Sequence, residues 1–205
     1  MTISVIVGST RQGRFSEKPA QWILEHLRKR EGIEGRLLDL RDFPMPFFDQ
    51  PMPPAMPGRP PYEHDVVQKW TAQIAASDGF IFVTPEYNYS MPGVLKNAID
   101  WASRPPDQPF AGKPVAIMGA AAGMAGSARA QYDLRRSCVF LDMHPLNKPE
   151  VLIGQAQTKF DDQGKLTDEA ARGFIRDLMA NLAGWARLHR KTLTQRKTSM
   201  VVERL

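Results

Sequence analysis

Apolar runs and amphipathic segments alternate along almost the whole chain. Strands are predicted at residues 3–8, 35–40, 79–84, 114–119 and 150–153, and several of these runs are continuously apolar, as in strands buried on both faces of a parallel sheet. Between them, apolar side chains recur at helical spacing in segments that begin after Ser16, near Val66, after Pro92, at Ser127 and after Thr167. We expect Ser16 and Thr167 to cap the first and last helices. The pattern therefore predicts an α/β protein with a doubly wound five-stranded parallel sheet and helices on both faces.

Length and composition are those of one compact domain. The chain has 205 residues, of which 42% are hydrophobic and 24% are charged. These values are ordinary for a globular protein with a sizeable core. No internal repeat and no second domain is evident from the pattern. We therefore predict a single domain over residues 1–190, followed by a basic C-terminal tail over residues 191–205.

The charge balance favours small anionic ligands. Lysine and arginine outnumber aspartate and glutamate by 27 to 22, which gives a net charge of +5. The basic residues are scattered apart from a local excess near the C-terminus, so we expect no nucleic-acid partner. No apolar run has the roughly 20 residues of a membrane helix, and the N-terminus lacks a secretory pattern. We therefore expect no membrane partner and a cytoplasmic location.

Cysteine and histidine usage gives no sign of a metal site. Cys138 is the only cysteine, which excludes an internal disulfide framework, and we expect it to be packed inside a helix. The histidines have neither metal-ligand nor catalytic-triad spacing. We therefore expect no bound metal.

One proline-rich segment, residues 44–61, interrupts the alternation of strands and helices. Its prolines exclude a regular helix or a central strand. The segment follows the second strand, so it leaves from the edge of the sheet where ligands bind in folds of this kind. Phe47 and Phe48 are expected to cover a pocket or to pack on another subunit.

Three loops with distinctive sequences follow the first, third and fourth strands. The first loop, residues 8–16, offers the hydroxyl groups of Ser9 and Ser16, backbone N–H groups, and the guanidinium groups of Arg11 and Arg14. All of these are donors to phosphate oxygens. The alternative is a polar turn in front of a well-capped helix. A triphosphate loop is not predicted, because that motif needs lysine and a hydroxyl residue where this chain has Arg14 and Phe15.

The other two loops are suited to a flat, polar-edged ring. The second loop, residues 84–93, contains two tyrosines and an asparagine in front of a helix, which can also be read as an ordinary helix start with surface tyrosines. The third loop, residues 119–126, is rich in glycine and alanine. Such a loop allows either a ring to approach the backbone closely or a helix to pack tightly on the sheet.

Together these motifs resemble the NADPH-dependent FMN reductase family. The resemblance is carried by Gly8-Ser9-Thr10-Arg11 and by Pro85-Glu86-Tyr87-Asn88-Tyr89-Ser90, followed by Pro92-Gly93-Val94-Leu95-Lys96-Asn97-Ala98-Ile99-Asp100-Trp101. It extends from the first strand to about residue 130. The resemblance implies a flavodoxin-like fold, non-covalently bound FMN, NADPH or NADH as electron donor, and a homodimer or homotetramer.

The resemblance also implies roles for individual residues. Ser9, Arg11 and Ser16 match the loop that binds the FMN phosphate, in which Arg14 and Phe15 also lie. The stretch that meets the isoalloxazine ring corresponds to Pro85, Glu86, Tyr87, Asn88 and Tyr89. The third loop, with Gly119 and Gly123, resembles the turn beside that ring. The proline-rich segment resembles a part of the family's subunit interface next to the active site.

The implied activity is reduction of quinones or similar small electrophilic acceptors, such as chromate or azo compounds. NAD(P)H and the acceptor would react in turn at flavin N5, in a ping-pong cycle that requires no catalytic side chain. Two alternatives stay open. One is an FMN reductase that releases reduced flavin to a monooxygenase. The other is a flavodoxin-type electron carrier, although such carriers are typically acidic and this chain is not.

Overall fold

The computed structural model describes residues 1–50, 62–103 and 108–202, and side chains as far as residue 190. Its strands are β1 (Thr2–Val7), β2 (Glu34–Asp39), β3 (Gly79–Thr84), β4 (Pro114–Ala120), β5 (His144–Pro145) and β6 (Val151–Ile153). Its helices are α1 (Glu17–Arg28), α2 (Asp65–Ala75), α3 (Gly93–Ala102), α4 (Ala128–Phe140) and α5 (Glu169–Val202). The alternation of strands and helices agrees with the sequence pattern.

All described strands belong to one parallel sheet with the order β2-β1-β3-β4, followed by β5 and β6. Both β5 and β6 pair with β4, the first beside Pro114 and Val115 and the second beside Met118–Ala120. The fifth position of the sheet is therefore filled by a strand in two pieces. This is the flavodoxin-like order, whose switch point lies between β1 and β3. The sequence pattern missed β5 because two residues, one of them proline, carry no readable periodicity.

The helices cover both faces of the sheet, as predicted. On one face, α1 and α5 pack through residues such as Ile23, Leu27 and Leu178 against the side chains of β1, β3 and β4. On the other face, α2, α3 and α4 pack through residues that include Trp70 and Leu134. The central strands are buried throughout, which explains their continuous apolar runs.

The strand register brings the three loops to the same edge. Val7, the last residue of β1, pairs with Asp39 of β2 and with Val83 of β3. Thr84 in turn pairs with Gly119 of β4. The first, second and third loops therefore leave the sheet side by side at its carboxyl edge.

Two helix ends differ from the prediction. The side chain of Asp168, not that of Thr167, caps α5, because its carboxylate accepts a hydrogen bond of 2.8 Å from the N–H of Ala171. The Thr167 hydroxyl instead donates to the carbonyl of Lys159 at 3.1 Å. Ser16 does precede α1, but its hydroxyl forms no capping hydrogen bond.

The last helix is longer than the predicted domain. The backbone of α5 continues through Val202, so residues 191–202 of the predicted basic tail are helical. Within the described ranges, no helix combines the length and the apolar character that crossing a membrane requires.

The described part of the proline-rich segment lies against α3. The Phe48 ring packs edge-on against Trp101, with ring centroids 5.0 Å apart, and the N–H of Phe48 donates to Asn97 Oδ1 at 2.9 Å. Trp101 Nε1 donates to the carbonyl of Pro46 at 2.8 Å. Phe47, in contrast, is 84% exposed. The prediction for residues 51–61 lies outside the described residues.

Candidate active site

The first loop is attached to the sheet next to β3. The N–H of Gly8 donates to the carbonyl of Val83 at 2.9 Å. A Cβ atom at Gly8 would lie 2.9 Å from Leu95 Cδ2 and 3.3 Å from that carbonyl, so a larger residue would require the Leu95 side chain to shift. The chain then turns away from the sheet through Ser9, whose side chain is buried at the start of the loop.

A hydroxyl pair joins the first and second loops. Ser9 Oγ and the Tyr87 hydroxyl lie 2.6 Å apart, a hydrogen bond in which either oxygen can donate. Ser9 Oγ also accepts from the N–H of Arg11 at 3.2 Å. Two residues separated by 78 positions in the sequence are thus in direct contact, as expected if both loops serve one ligand.

Ser16 carries a polar atom that needs a partner. The residue is fully buried directly before α1, and within the described residues its Oγ has no hydrogen-bond partner. Buried hydroxyl groups are almost always hydrogen-bonded, and the first turn of a helix offers further unpaired N–H groups. A phosphate group placed here would satisfy both, so the residues of the first loop fit the phosphate of FMN.

The two arginines of the first loop have different environments. Arg11 is exposed, which leaves its guanidinium available to a ligand. Arg14 is only 4% exposed, and it donates to the carbonyl of Ser9, to both carboxylate oxygens of Asp39 and to Glu17. The sequence placed both arginines among the ligand-binding residues. The structure directs the donors of Arg14 into the protein.

Asp39 is held in its ionised form by these contacts. Burial raises the pKa of its carboxyl group, but hydrogen bonds from the Arg14 guanidinium and from the N–H of Arg41 outweigh burial, so the pKa lies below its ordinary value. Asp39 ends β2, directly beside the end of β1. The sequence reasoning missed this residue, although an acidic residue at the carboxyl end of a strand adjacent to β1 is a usable signal.

The second loop contains a tight turn with a left-handed backbone. The N–H of Tyr87 donates to the carbonyl of Ser90 at 2.9 Å, and the N–H of Ser90 returns a bond of 3.0 Å. Asn88 and Tyr89 between them have φ angles of 50° and 68°. Two successive residues with positive φ are typical of type I′ turns, and such strain in non-glycine residues is concentrated at functional sites. The Tyr89 ring is 72% exposed at the tip of this turn.

Glu86 connects the second loop to the start of α4. Its carboxylate accepts a hydrogen bond of 2.9 Å from the N–H of Arg129 and a second one from the Arg129 guanidinium. That guanidinium lies 3.8 Å from the centroid of the Tyr89 ring, a cation–π contact. Glu86 therefore acts as a cap for α4 through its side chain. Arg129 was not anticipated from the sequence, because the contact spans 43 positions.

The third loop owes much of its glycine content to internal packing. A Cβ atom at Gly119 would lie 2.5 Å from the carbonyl oxygen of Gly126 and from Cβ of Ser127. At Gly126, which has a φ of 55°, a Cβ atom would lie 2.5 Å from the backbone of Leu152. Both glycines thus permit tight packing on the sheet edge. Gly123 is exposed and has open space around it, so only this glycine leaves room for a ring to approach.

The remaining predicted site residues lie at the same edge. Pro85 is half-buried at the start of the second loop, and its carbonyl accepts from the Thr84 hydroxyl at 2.8 Å. Phe15 is half-buried and packs against the core on the α1 and α5 face. Asn88 is exposed.

Cys138, in α4, is buried, and burial raises the pKa of its thiol to about 12, which makes it unreactive.

The fold and the site together define a class: flavodoxin-like α/β proteins that hold a phosphorylated planar cofactor at the carboxyl edge of the sheet. Comparison with known proteins makes the class specific. Residues 1–158 match the family model described as NADPH-dependent FMN reductase. The chain belongs to this family of flavoprotein oxidoreductases, and its cofactors are FMN and NAD(P)H.

Individual relatives agree with this family. The chain is 58% identical over 138 residues to an NAD(P)H-dependent FMN reductase of Pseudomonas aeruginosa, a match that covers 63% of this chain and 75% of that protein. It is 41% identical over 170 residues to a quinone reductase of Escherichia coli strain K12, with coverage of 82% and 86%. Among solved structures it resembles FerB, a flavoenzyme NAD(P)H:(acceptor) oxidoreductase from Paracoccus denitrificans. The TM-score is 0.73 at 32% identity, with coverage of 92% of this chain and 98% of that one.

Proposed function

We propose that this protein uses NAD(P)H to reduce quinones or similar small electrophilic acceptors through bound FMN. Two observations on the first loop carry the proposal together: its contact with the second loop and its unpaired buried hydroxyl. Ser9 joins the two loops through Tyr87, and Ser16 lacks a partner where a phosphate would lie. A quinone reductase among the relatives, matched over 86% of its length, supports this class of acceptor.

The residues of the first loop would hold the phosphate end of the cofactor. Ser9, Ser16 and the N–H groups at the start of α1 are the hydrogen-bond donors. Arg11 adds a charge-assisted bond from the exposed side of the loop. Hydrogen bonds to the sheet and to the second loop hold the start of this loop and the Ser9 side chain before the cofactor binds.

The second and third loops would hold the ring end. The backbone of the turn at residues 87–90 provides polar groups for the ring edge, and the open space at Gly123 allows a flat ring to lie against the third loop. When bound, FMN accepts electrons from NAD(P)H and passes them to the acceptor. The protein side chains would position the reactants, and the chemistry would take place on the flavin. No catalytic acid or base is therefore assigned.

An absorption spectrum followed by turnover measurements tests the proposal. The purified protein should show a flavin spectrum, which anaerobic NADPH should bleach and a benzoquinone should restore. Protein stripped of flavin should be inactive until FMN is added back. A stripped protein that neither takes up FMN nor oxidises NADPH in the presence of FMN and a quinone would contradict the proposal.

A second candidate is an FMN reductase that uses flavin as a substrate and releases it in reduced form. The name of the relative from Pseudomonas aeruginosa favours this candidate. The two functions differ in how firmly the flavin is held. Protein that stays yellow through purification and gel filtration indicates a prosthetic group. Colourless protein that reduces added FMN continuously, with saturation in FMN, indicates a flavin substrate.

We also propose that the chain forms a homodimer or homotetramer in the cytoplasm. Exposed apolar side chains support self-association: Phe47 in the proline-rich segment, and Tyr132, Val139 and Phe140 on α4. Light scattering coupled to gel filtration would give the number of subunits, and a monomer at micromolar concentration would refute the assembly. Fractionation of cells would test the location.

A further inference from the structure

Three successive carbonyl groups of the first loop accept hydrogen bonds from two arginines. The carbonyl of Ser9 accepts from Arg14. The carbonyls of Thr10 and Arg11 accept from the Arg41 guanidinium at 3.2 and 2.7 Å. Both arginines are tied to β2: Arg14 through Asp39, its last residue, and Arg41 by following it in sequence. The loop backbone is thereby attached to the neighbouring strand at each of these positions.

These hydrogen bonds also fix the direction in which the peptide groups of the first loop point. In a trans peptide unit the C=O of one residue and the N–H of the next point in opposite directions. The peptide bonds of the first loop are trans. Because the carbonyls of Ser9, Thr10 and Arg11 point toward the arginines, the N–H groups of the following residues point away from them. Of these, the N–H of Arg11 bonds to Ser9 Oγ, which itself contacts the second loop.

Stability alone does not account for the ion pair at the centre of this arrangement. The Arg14 side chain is 1% exposed and that of Asp39 is 16% exposed. Removing two charges from water is expensive, and replacing such a pair by apolar residues is often neutral or stabilising. The negative charges of Asp39 and Glu17 also balance the positive charges of Arg14 and Arg41. Asp39 lies within ion-pair distance of Arg14, and Glu17 lies within ion-pair distance of both arginines. The cluster therefore adds little net charge for attracting a phosphate.

We propose that Arg14 and Asp39, together with Arg41, form a brace that shapes the first loop into a phosphate site and so sets the preference for FMN over riboflavin. The brace residues are positioning residues: they turn the loop carbonyls away and leave N–H groups and the Ser16 hydroxyl for the phosphate. The inference rests on the proposed function, since it concerns the site of the same cofactor. It reassigns Arg14 from a ligand of the phosphate to a support of the loop.

The test compares two flavins that differ only in the phosphate. Flavin fluorescence titration gives the dissociation constants of FMN and riboflavin for stripped wild-type protein and for the double variant Arg14→Met/Asp39→Leu, which avoids leaving one buried charge unpaired. We expect FMN affinity to fall at least tenfold and riboflavin affinity to stay within about twofold, while the melting temperature of the stripped protein stays close to that of the wild type.

Arg36→Met serves as the matched control. Arg36 lies in the first half of β2, three residues before Asp39, where it pairs with Glu34 and donates to Gln73 at 2.9 Å. It should leave both flavin affinities unchanged. Arg41→Met provides a second measurement, because the substituted side chain is exposed. This variant should bind FMN about threefold more weakly, or weaker still, with no change in riboflavin binding.

The possible outcomes separate the two proposals. Wild-type protein that binds neither flavin refutes the proposed function itself. Wild-type protein that prefers FMN, with the same preference retained in the double variant and in Arg41→Met, overturns the brace. If the double variant does not fold, the result for Arg41→Met decides: an unchanged ratio of FMN to riboflavin affinity overturns the brace, and a reduced ratio supports it.

Discussion

At the scale of single residues, the first loop places its two arginines in different environments. Arg11 is exposed beside the buried hydroxyls, whereas the guanidinium of Arg14 is enclosed by Ser9, Asp39 and Glu17. Both residues have the same chemistry in the sequence. Burial and partners distinguish a residue that is available to a ligand from one that supports the loop.

Removal of the Arg11 side chain should weaken FMN binding. We expect Arg11→Ala to cost about 1–3 kcal/mol of binding free energy, the usual effect of losing a charged hydrogen-bond partner. Fluorescence titration with FMN measures the change. Arg28→Ala, which removes an exposed positive charge from the last turn of α1, is the control for general electrostatics. Equal affinities for wild type and Arg11→Ala would remove this residue from the phosphate site.

At the scale of elements, the third loop is shaped by packing against the sheet edge. The N–H of Ala121 donates to the carbonyl of Ile153 at 3.0 Å, and the N–H of Gln155 donates to the carbonyl of Gly123 at 3.1 Å. The loop and the chain after β6 therefore form one layer. Gly154 belongs to the same contact, because a Cβ atom there would lie 2.3 Å from the carbonyl oxygen of Met124.

Two glycines in this loop should respond differently to alanine. Gly126→Ala should destabilise the protein by more than about 2 kcal/mol, because the left-handed backbone disfavours a Cβ atom by roughly 1–2 kcal/mol and the new atom also meets the backbone of Leu152. Gly123→Ala, in open space, should leave stability unchanged. Urea unfolding of the flavin-free proteins measures both. Equal stabilities for the two variants would refute the assigned packing.

The Gly123→Ala variant also tests where the flavin ring binds. If the flavin ring lies against the third loop, Gly123→Ala should weaken FMN binding without altering stability. This outcome would distinguish the two interpretations of the loop that the sequence left open. Packing explains Gly119 and Gly126, and only Gly123 has the exposure that contact with a ligand requires.

At the scale of the whole molecule, α5 closes one face of the sheet and contacts β5 through stacked histidines. The rings of His144 and His189 lie parallel, with centroids 4.2 Å apart, and the Trp185 ring lies 5.5 Å from that of His189. His189 Nε2 is buried without a partner in the described residues. Burial, and then the adjacent His144, lowers the pKa of His189 below its ordinary value.

This histidine should make global stability decrease in mild acid. Because the pKa is lowered in the folded state, the unfolded chain takes up the proton first as the pH falls below about 6.5. Stability should therefore decline from there down to the folded pKa, with a slope of at most about 1.4 kcal/mol per pH unit for one proton. His189→Phe keeps an aromatic ring without titration. Melting curves between pH 7 and pH 5 should decline less steeply for this variant, and identical slopes would refute the assignment.

The sequence by itself determined the order of elements, the parallel sheet and the position of the three loops. Apolar runs such as 79–84 mark strands because burial on both faces leaves no polar positions, and this signal is local. The prediction that Ser9, Arg11 and Ser16 bind a phosphate is equally local, since strand, polar turn and helix start are contiguous in the chain.

Only the tertiary structure decided which side chains of the three loops pair with one another and with the rest of the protein. Arg14 turns to Asp39 across 25 positions, Glu86 to Arg129 across 43, and Ser9 to Tyr87 across 78. In the structure Asp168 caps α5, where the sequence had predicted Thr167. The last position of the sheet is filled by two short strands and not by one. The physical reason is common to all of these contacts. A polar side chain pairs with whatever partner the register of the sheet brings near, and no local pattern in the sequence records that distance.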